Sequence, residues 1–135
     1  MKNILSLAFL ILFASSCKKE RLERQLYGTW EIRTSVHHEP GTTTVNYQPG
    51  NGTYIELKTN GTLNRYENAV LKSSETFKIV KKNISGCEST QKKYWAIEYE
   101  SEYDEQIDVD GDMLKISTPP CLMDGGLRTY VRINK

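Results

Sequence analysis

From Gly28 to Ile133 apolar and polar residues alternate with a period of two, the rhythm of strands that bury one face. Trp30, Ile32, Thr34 and Val36 alternate with Glu31, Arg33 and Ser35, which predicts a first strand with the former set on one face. A loop rich in Gly, Pro and Asn follows from His37 to Asn51. Thr53–Lys58 sets Ile55 and Leu57 on one side, and Asn60-Gly61 predicts a tight hairpin into Thr62–Asn68. Further strands are predicted at Glu75–Val80, with Phe77 and Ile79 in phase, and at Lys93–Glu100, with Trp95, Ile97 and Tyr99 in phase. Ile107 and Val109 lead through Asp110-Gly111, a second hairpin signal, to Leu114 and Ile116. The last run, Leu127–Ile133, divides Thr129, Val131 and Ile133 from Arg128, Tyr130 and Arg132.

That makes eight strands with no helical stretch between them long enough for a crossover, so the fold is all-β and antiparallel. Strands in this number either close into a barrel or split into a sandwich. Only Lys18–Gln25, with Leu22 and Leu26 four apart, reads as one or two helical turns.

The first residues follow a different plan. Lys2 precedes an apolar run from Ile4 to Ala14 broken only by Ser6, and Ala14-Ser15-Ser16 supplies small residues for cleavage. This is the three-part plan of a secretory signal peptide, and the run is shorter than the roughly 20 residues a membrane-spanning helix needs. Phe13-Ala14-Ser15-Ser16-Cys17 resembles a bacterial lipobox, with Ala14 where leucine is commonest. The resemblance implies lipidation of Cys17, by palmitate-type acyl chains, and a mature protein tethered to membrane lipid. In Gram-negative lipoproteins, lysine after the cysteine, here Lys18, implies the outer membrane. The expected organisation is a signal peptide over 1–16, a tether and short helix over 17–25, and one domain over 26–135.

At Gly28-Thr29-Trp30 the chain resembles the lipocalins, whose Gly-x-Trp opens the first strand after a short helix. Leu26–Ile32, Tyr54–Leu57 with Asn60–Leu63, and Arg128–Arg132 together resemble small bacterial lipocalin-like lipoproteins. The resemblance implies a single eight-stranded barrel that holds a small hydrophobic ligand. It also implies an arginine of the last strand, either Arg128 or Arg132, lying across Trp30 to close the barrel floor beside Gly28; such a contact gains about 0.5–2 kcal/mol. Interior positions are then Trp30, Ile32, Ile55, Leu57, Phe77, Ile79, Trp95, Ile97, Val131 and Ile133. The candidate pocket wall is Ile55, Leu57, Phe77, Trp95, Ile97 and Tyr99.

Composition narrows the function classes. The aromatic residues, eight Tyr, three Phe and two Trp, are too many for a disordered chain. Without Lys2 the chain carries 17 basic and 17 acidic side chains, which offers no electrostatic case for nucleic acid. Beyond Cys17 there remain Cys87 and Cys121, an even remainder that reads as one disulfide in an oxidising compartment. Neither has a histidine or second cysteine at metal-ligand spacing. His37-His38-Glu39 is the only histidine cluster, and adjacent strand residues point to opposite faces, so it reads as a solvated loop rather than a metal site. Asp108–Asp112 begins like a calcium loop, but Pro119 stands at the twelfth place, where an EF-hand needs Glu; the hairpin reading prevails. The strand and loop tyrosines suit a barrel mouth as well as simple strand propensity. No nucleophile elbow, paired-carboxylate signature, phosphate loop or metal motif suggests an enzyme, and no cofactor is expected. Two roles are carried forward: a ligand-binding module, and an envelope protein whose loops touch another protein while its barrel is filled.

Overall fold

A computed structural model describes residues 17–38, 41–84, 93–101, 103–122 and 125–134. Residues 1–16, where a signal peptide is expected, Glu39 and Cys87 lie outside these residues. Helix α1 spans residues 17–26. Nine strands follow: β1 (Gly28–His37), β2 (Thr43–Asn46), β3 (Tyr54–Leu57), β4 (Thr62–Glu67), β5 (Val70–Asn83), β6 (Lys93–Tyr99), β7 (Asp104–Asp110), β8 (Met113–Ser117) and β9 (Gly126–Asn134).

All strand pairs are antiparallel, and β1 pairs with β9 to close the sheet into an eight-stranded barrel of β1 and β3–β9. The ninth strand, β2, is an addition. One edge of β1 is taken by β9 along almost its whole length, while the other is shared: Gly28–Glu31 pair with β3, and Thr34–His37 pair with β2. The His37–Asn51 stretch expected as loop therefore holds a strand. Every residue of β2 is exposed, so backbone pairing alone defines it, and no apolar alternation could announce it.

The hairpins follow turn chemistry. At the β3–β4 connection Gly61 takes a left-handed φ of 78°, Lys58 N–H donates to Thr62 O and Gly61 N–H to Lys58 O, the pattern of a three-residue loop ending in a glycine bulge. The β4–β5 hairpin is tighter than the period of two predicts, because β5 begins at Val70 rather than Glu75. Its exposed first residues carry no buried face, and its turn places Asn68 (φ 50°) and Ala69 (φ 61°) in the left-handed region. That region costs a residue with a Cβ about 1–2 kcal/mol, part of which glycine's extra freedom in the unfolded chain would return. Ala69→Gly is therefore expected to stabilise the fold by about 0.5–1 kcal/mol, read as a higher urea midpoint at unchanged slope.

A bulge resets the phase of β1. Ile32 faces Tyr130 and Thr34 faces Thr129, so Arg33 is the unpaired extra residue. Trp30 and Ile32 are buried as expected, but beyond the bulge Ser35 is the buried residue while Thr34 and Val36 are only half-buried. A strict period of two cannot survive an inserted residue. The last strand is corrected as well. Its buried member is Tyr130, in register with Leu114, and Arg128 is in register with Ile116; Val131 is half-buried and Ile133 exposed. The inward face of β9 is the polar one because both arginines find partners inside.

The core comprises Leu26 from α1 with Trp30, Ile32, Ile55, Leu57, Leu63, Phe77, Ile79, Ile97, Tyr99, Ile107, Leu114, Ile116 and Tyr130. At about 25 cal/mol per Å² of apolar surface removed from water, this cluster is the main stabilising term. Antiparallel register sorts the strand ends into two rims. The floor gathers Gly28, the β3–β4 turn, the β7–β8 turn and the end of β9; the mouth gathers the end of β1, the β4–β5 turn, and the β6–β7 and β8–β9 connections.

Beneath the chain that runs from β2 to β3, Glu31 is a buried carboxylate that accepts from Gly50 N–H at 3.1 Å and from Arg33 at 2.5 Å. Burial pushes its pKa up, but the Gly50 amide, Arg33 and the Gly52 amide outweigh burial and hold it below the ordinary carboxylate value. A depressed carboxylate stabilises the fold at neutral pH, and that contribution is lost as pH falls through its folded pKa. Glu31→Gln is thus expected to lower stability at pH 7 and to flatten the loss of stability under acid, measured by denaturant titrations across pH.

Candidate functional site

The floor is a sealed plug. Trp30 is fully buried, its indole Nε1–H donates to Leu26 O at 2.7 Å, and the Arg132 guanidinium lies 4.0 Å from the ring centroid. Arg132 also donates to Tyr27 O at 2.8 Å and to Gln25 O. Carbonyls near the end of a helix lack intrahelical partners, and a cation there is favoured by the helix dipole. Trp30 and Arg132 therefore tie the end of α1 to the first and last strands at once. The choice between two arginines is decided: Arg132 crosses the tryptophan, while Arg128 is engaged elsewhere. Gly28, with φ at 133°, makes the bend from helix to strand in a conformation that side chains rarely adopt.

At the other end the interior turns polar. Arg65 pairs with Glu75 on the neighbouring strand, and its guanidinium sits 5.1 Å from the Tyr99 ring centroid. The Tyr99 hydroxyl donates to Glu105 Oε2 at 2.7 Å, and Arg128 Nη2 donates to Glu105 Oε1. The result is a chain of alternating charge, Glu75–Arg65–Tyr99–Glu105–Arg128, across the barrel above the apolar core. Burial, followed by the charge of Glu105 and the bond to it, pushes the Tyr99 hydroxyl far above its ordinary pKa, so it remains a donor. Tyr103 stacks on Tyr99 with centroids 6.0 Å apart, and Ser35 Oγ lies 2.9 Å from His37 Nε2. Above this chain opens a cavity of about 360 Å³, walled by Ser35, His37, Arg65, Tyr103, Glu105 and Arg128 with Thr118 and Gly126.

The expected pocket residues are distributed differently. Ile55, Leu57, Phe77 and Ile97 are buried in the packed core, and none of them borders the mouth cavity; Phe77 and Tyr99 border a separate groove of about 560 Å³ between β5 and β6, and Trp95 one of about 470 Å³. Tyr99 lies beneath the mouth cavity. Trp95 is half-buried toward the floor end, packed on the core with Lys81 Nζ 5.5 Å from its ring centroid. Cys17 is a free, exposed cysteine at the start of α1. Cys121, with φ at 80°, lies in the β8–β9 connection, and its expected partner Cys87 is outside the described residues. His37 and His38 engage separate partners, Ser35 and Thr42, and the described residues hold no group of three or more His, Cys, Asp or Glu able to bind a metal. Among the described residues no helix is long and apolar enough to cross a membrane.

Arg65, Glu75 and Glu105 were missed as site residues, although a signal existed. Arg65 is in phase with Leu63, Glu75 with Phe77 and Glu105 with Ile107, so each charge falls on its strand's inward face one step toward the mouth.

Fold and site together define a class: a closed antiparallel barrel, plugged at one end by a Trp–Arg pair and open at the other onto a pocket whose wall mixes charged groups with apolar surface. No protein-family model, curated protein or solved structure matches the chain.

Proposed function

We propose that this protein is a lipocalin-like envelope lipoprotein, anchored through acylated Cys17, that binds one small ligand at the mouth of its barrel. The observation that carries the reading is the mouth cavity itself, a concave site with a few charged groups in its wall, above a filled core and opposite a sealed floor. The Gly-x-Trp motif with an arginine across its indole supports the lipocalin comparison. An apolar ligand threaded deep into the barrel would have to displace Ile55, Leu57, Phe77 and Ile97, so the ligand sits above them with any apolar part against the rim. Binding, rather than chemistry, is the proposed activity, with no cofactor. Backbone amide spectra recorded against a small-molecule library test it: saturable shifts at Ser35, Arg65, Glu105 and Arg128 are expected, and a library that moves none of them refutes the reading.

Anchoring has its own test. Growth with an acyl-chain label is expected to mark the protein through Cys17 and retain it in the outer-membrane fraction, while Cys17→Ser abolishes the label and releases the protein. A Cys87–Cys121 disulfide, worth on the order of 3–4 kcal/mol for a loop of this length, is part of the proposal and would be seen as a linked peptide pair in a non-reducing digest.

A second reading, docking onto another envelope protein, is favoured by one feature. Val45, Val70, Leu71, Tyr103 and Leu122 are exposed large side chains contributed by the mouth-end segments. In-cell crosslinking from Val70 and Leu122 that recovers a discrete partner would favour this role over ligand carriage.

A further inference from the structure

We infer that the mouth pocket is a carboxylate site: the ligand presents an acid group to the unused edges of Arg65 and Arg128. This inference rests on the mouth-binding reading above and names the chemistry of what binds. The cavity wall brings two guanidiniums together, Arg65 from β4 and Arg128 from β9. Each forms its ion pair through one terminal nitrogen, Nη1 of Arg65 to Glu75 and Nη2 of Arg128 to Glu105. A guanidinium carries five N–H donors in a planar fork, so each arginine keeps most of its donors for something else. Their side chains are 30% and 32% exposed, enough for those edges to reach the cavity.

The side-chain acceptors already hold partners. Among the described residues Glu105 is the one carboxylate in the cavity wall; its Oε1 accepts from Arg128 and its Oε2 from the Tyr99 hydroxyl. Glu75 pairs with Arg65 and does not border the cavity. Ser35 and His37 are bonded to each other. What faces the space is an excess of N–H donors; the two arginines and the two glutamates balance in charge, so the pull on an anion comes from the unused donors and not from net charge. A cation would meet two guanidiniums. A wholly apolar molecule would strip water from their N–H groups and offer nothing in return. A carboxylate supplies two acceptor oxygens in the plane and at the spacing of the arginine fork, and its charge makes those bonds the strong kind. Tyr103 and Thr118 border the same space with hydroxyls that can donate to it.

The test uses the folded domain with octanoate, octanamide and inorganic phosphate as probes, followed by calorimetry and by the Nε–Hε signals of arginine. Octanoate is expected to bind saturably, at least tenfold more tightly than the isosteric octanamide, and to shift the Arg65 and Arg128 signals. The paired variant Arg65→Gln/Glu75→Gln removes one guanidinium without stranding its carboxylate. It is expected to keep the near-ultraviolet circular dichroism of the parent and to lose octanoate binding by tenfold or more. Arg128→Lys keeps a charge beside Glu105 but removes the fork, and is expected to weaken octanoate in the same direction. Equal binding of octanamide and octanoate overturns the carboxylate assignment while leaving mouth binding intact. Phosphate binding as tightly as octanoate, or octanoate indifferent to both variants, also overturns it. Mouth resonances that no probe moves, at millimolar concentration, count against the assignment and the mouth-binding reading together.

Discussion

Trp30→Ala is expected to be among the most destabilising single substitutions in this chain. Truncating a fully buried tryptophan ordinarily costs about 3–5 kcal/mol through lost burial and the cavity left behind. Here the same change also orphans Leu26 O and removes the ring under Arg132, so the upper part of that range is expected. Set against a net stability of about 5–15 kcal/mol for a domain of ordinary size, the loss leaves the protein close to its unfolding threshold. Trp30→Phe separates the contributions. It keeps most of the volume but loses the indole N–H and part of the cation–π attraction, at a cost of about 1–2 kcal/mol. Amide exchange gives a readout specific to the plug: α1 is expected to lose protection in both variants, including the Tyr27 amide that bonds Glu23 O, before the barrel strands do. If α1 keeps its protection in Trp30→Ala, the plug is not what holds the helix.

The second large effect is expected at the mouth. Glu105 is 6% exposed and is the shared acceptor for Tyr99 and Arg128, so Glu105→Ala leaves a tyrosine hydroxyl and a guanidinium without their partner. Removing one member of a buried ion pair costs about 3–5 kcal/mol, and the partial exposure of Arg128 lowers the expectation to about 2–4 kcal/mol. The double variant Glu105→Leu/Arg128→Leu is expected to recover much of that loss, because neither charge is then stranded and both side chains stand over an apolar core. Denaturant midpoints of the parent, Glu105→Leu, Arg128→Leu and the double variant close the cycle. A double variant no more stable than Glu105→Leu would mean that the pair is held for reasons other than mutual compensation.

The two ends of the barrel differ in how far a linear reading reaches them. Gly28 and Trp30 stand next to the helix they cap, and the alternation that buries Trp30 and Ile32 is a local property of the chain. Arg132 could not be separated from Arg128 by local means, since both lie on the same face of β9. The register of β9 against β1 and β8 decides between them: it sets Arg132 opposite Trp30 and Arg128 opposite Ile116. At the mouth, strand parity already places Arg65, Glu75 and Glu105 inward, but parity alone does not say that the β4–β5 hairpin carrying the first two converges there with Glu105 of β7 and Arg128 of β9. Their meeting depends on the stagger of neighbouring strands, which closure of the sheet sets and no short window contains.

Local alternation and turn chemistry thus determined the antiparallel β class, the order of the eight wall strands and most of the apolar core, because a pleated backbone exposes side chains to opposite faces whatever its neighbours are. Tertiary structure alone decided the bulge at Arg33 that turns Ser35 inward, the pairing that makes a strand of Thr43–Asn46, the inward face of β9 and the charged chain across the mouth. Each of these is a matter of register between strands, where backbone pairing and the compensation of buried charge outweigh the apolar count.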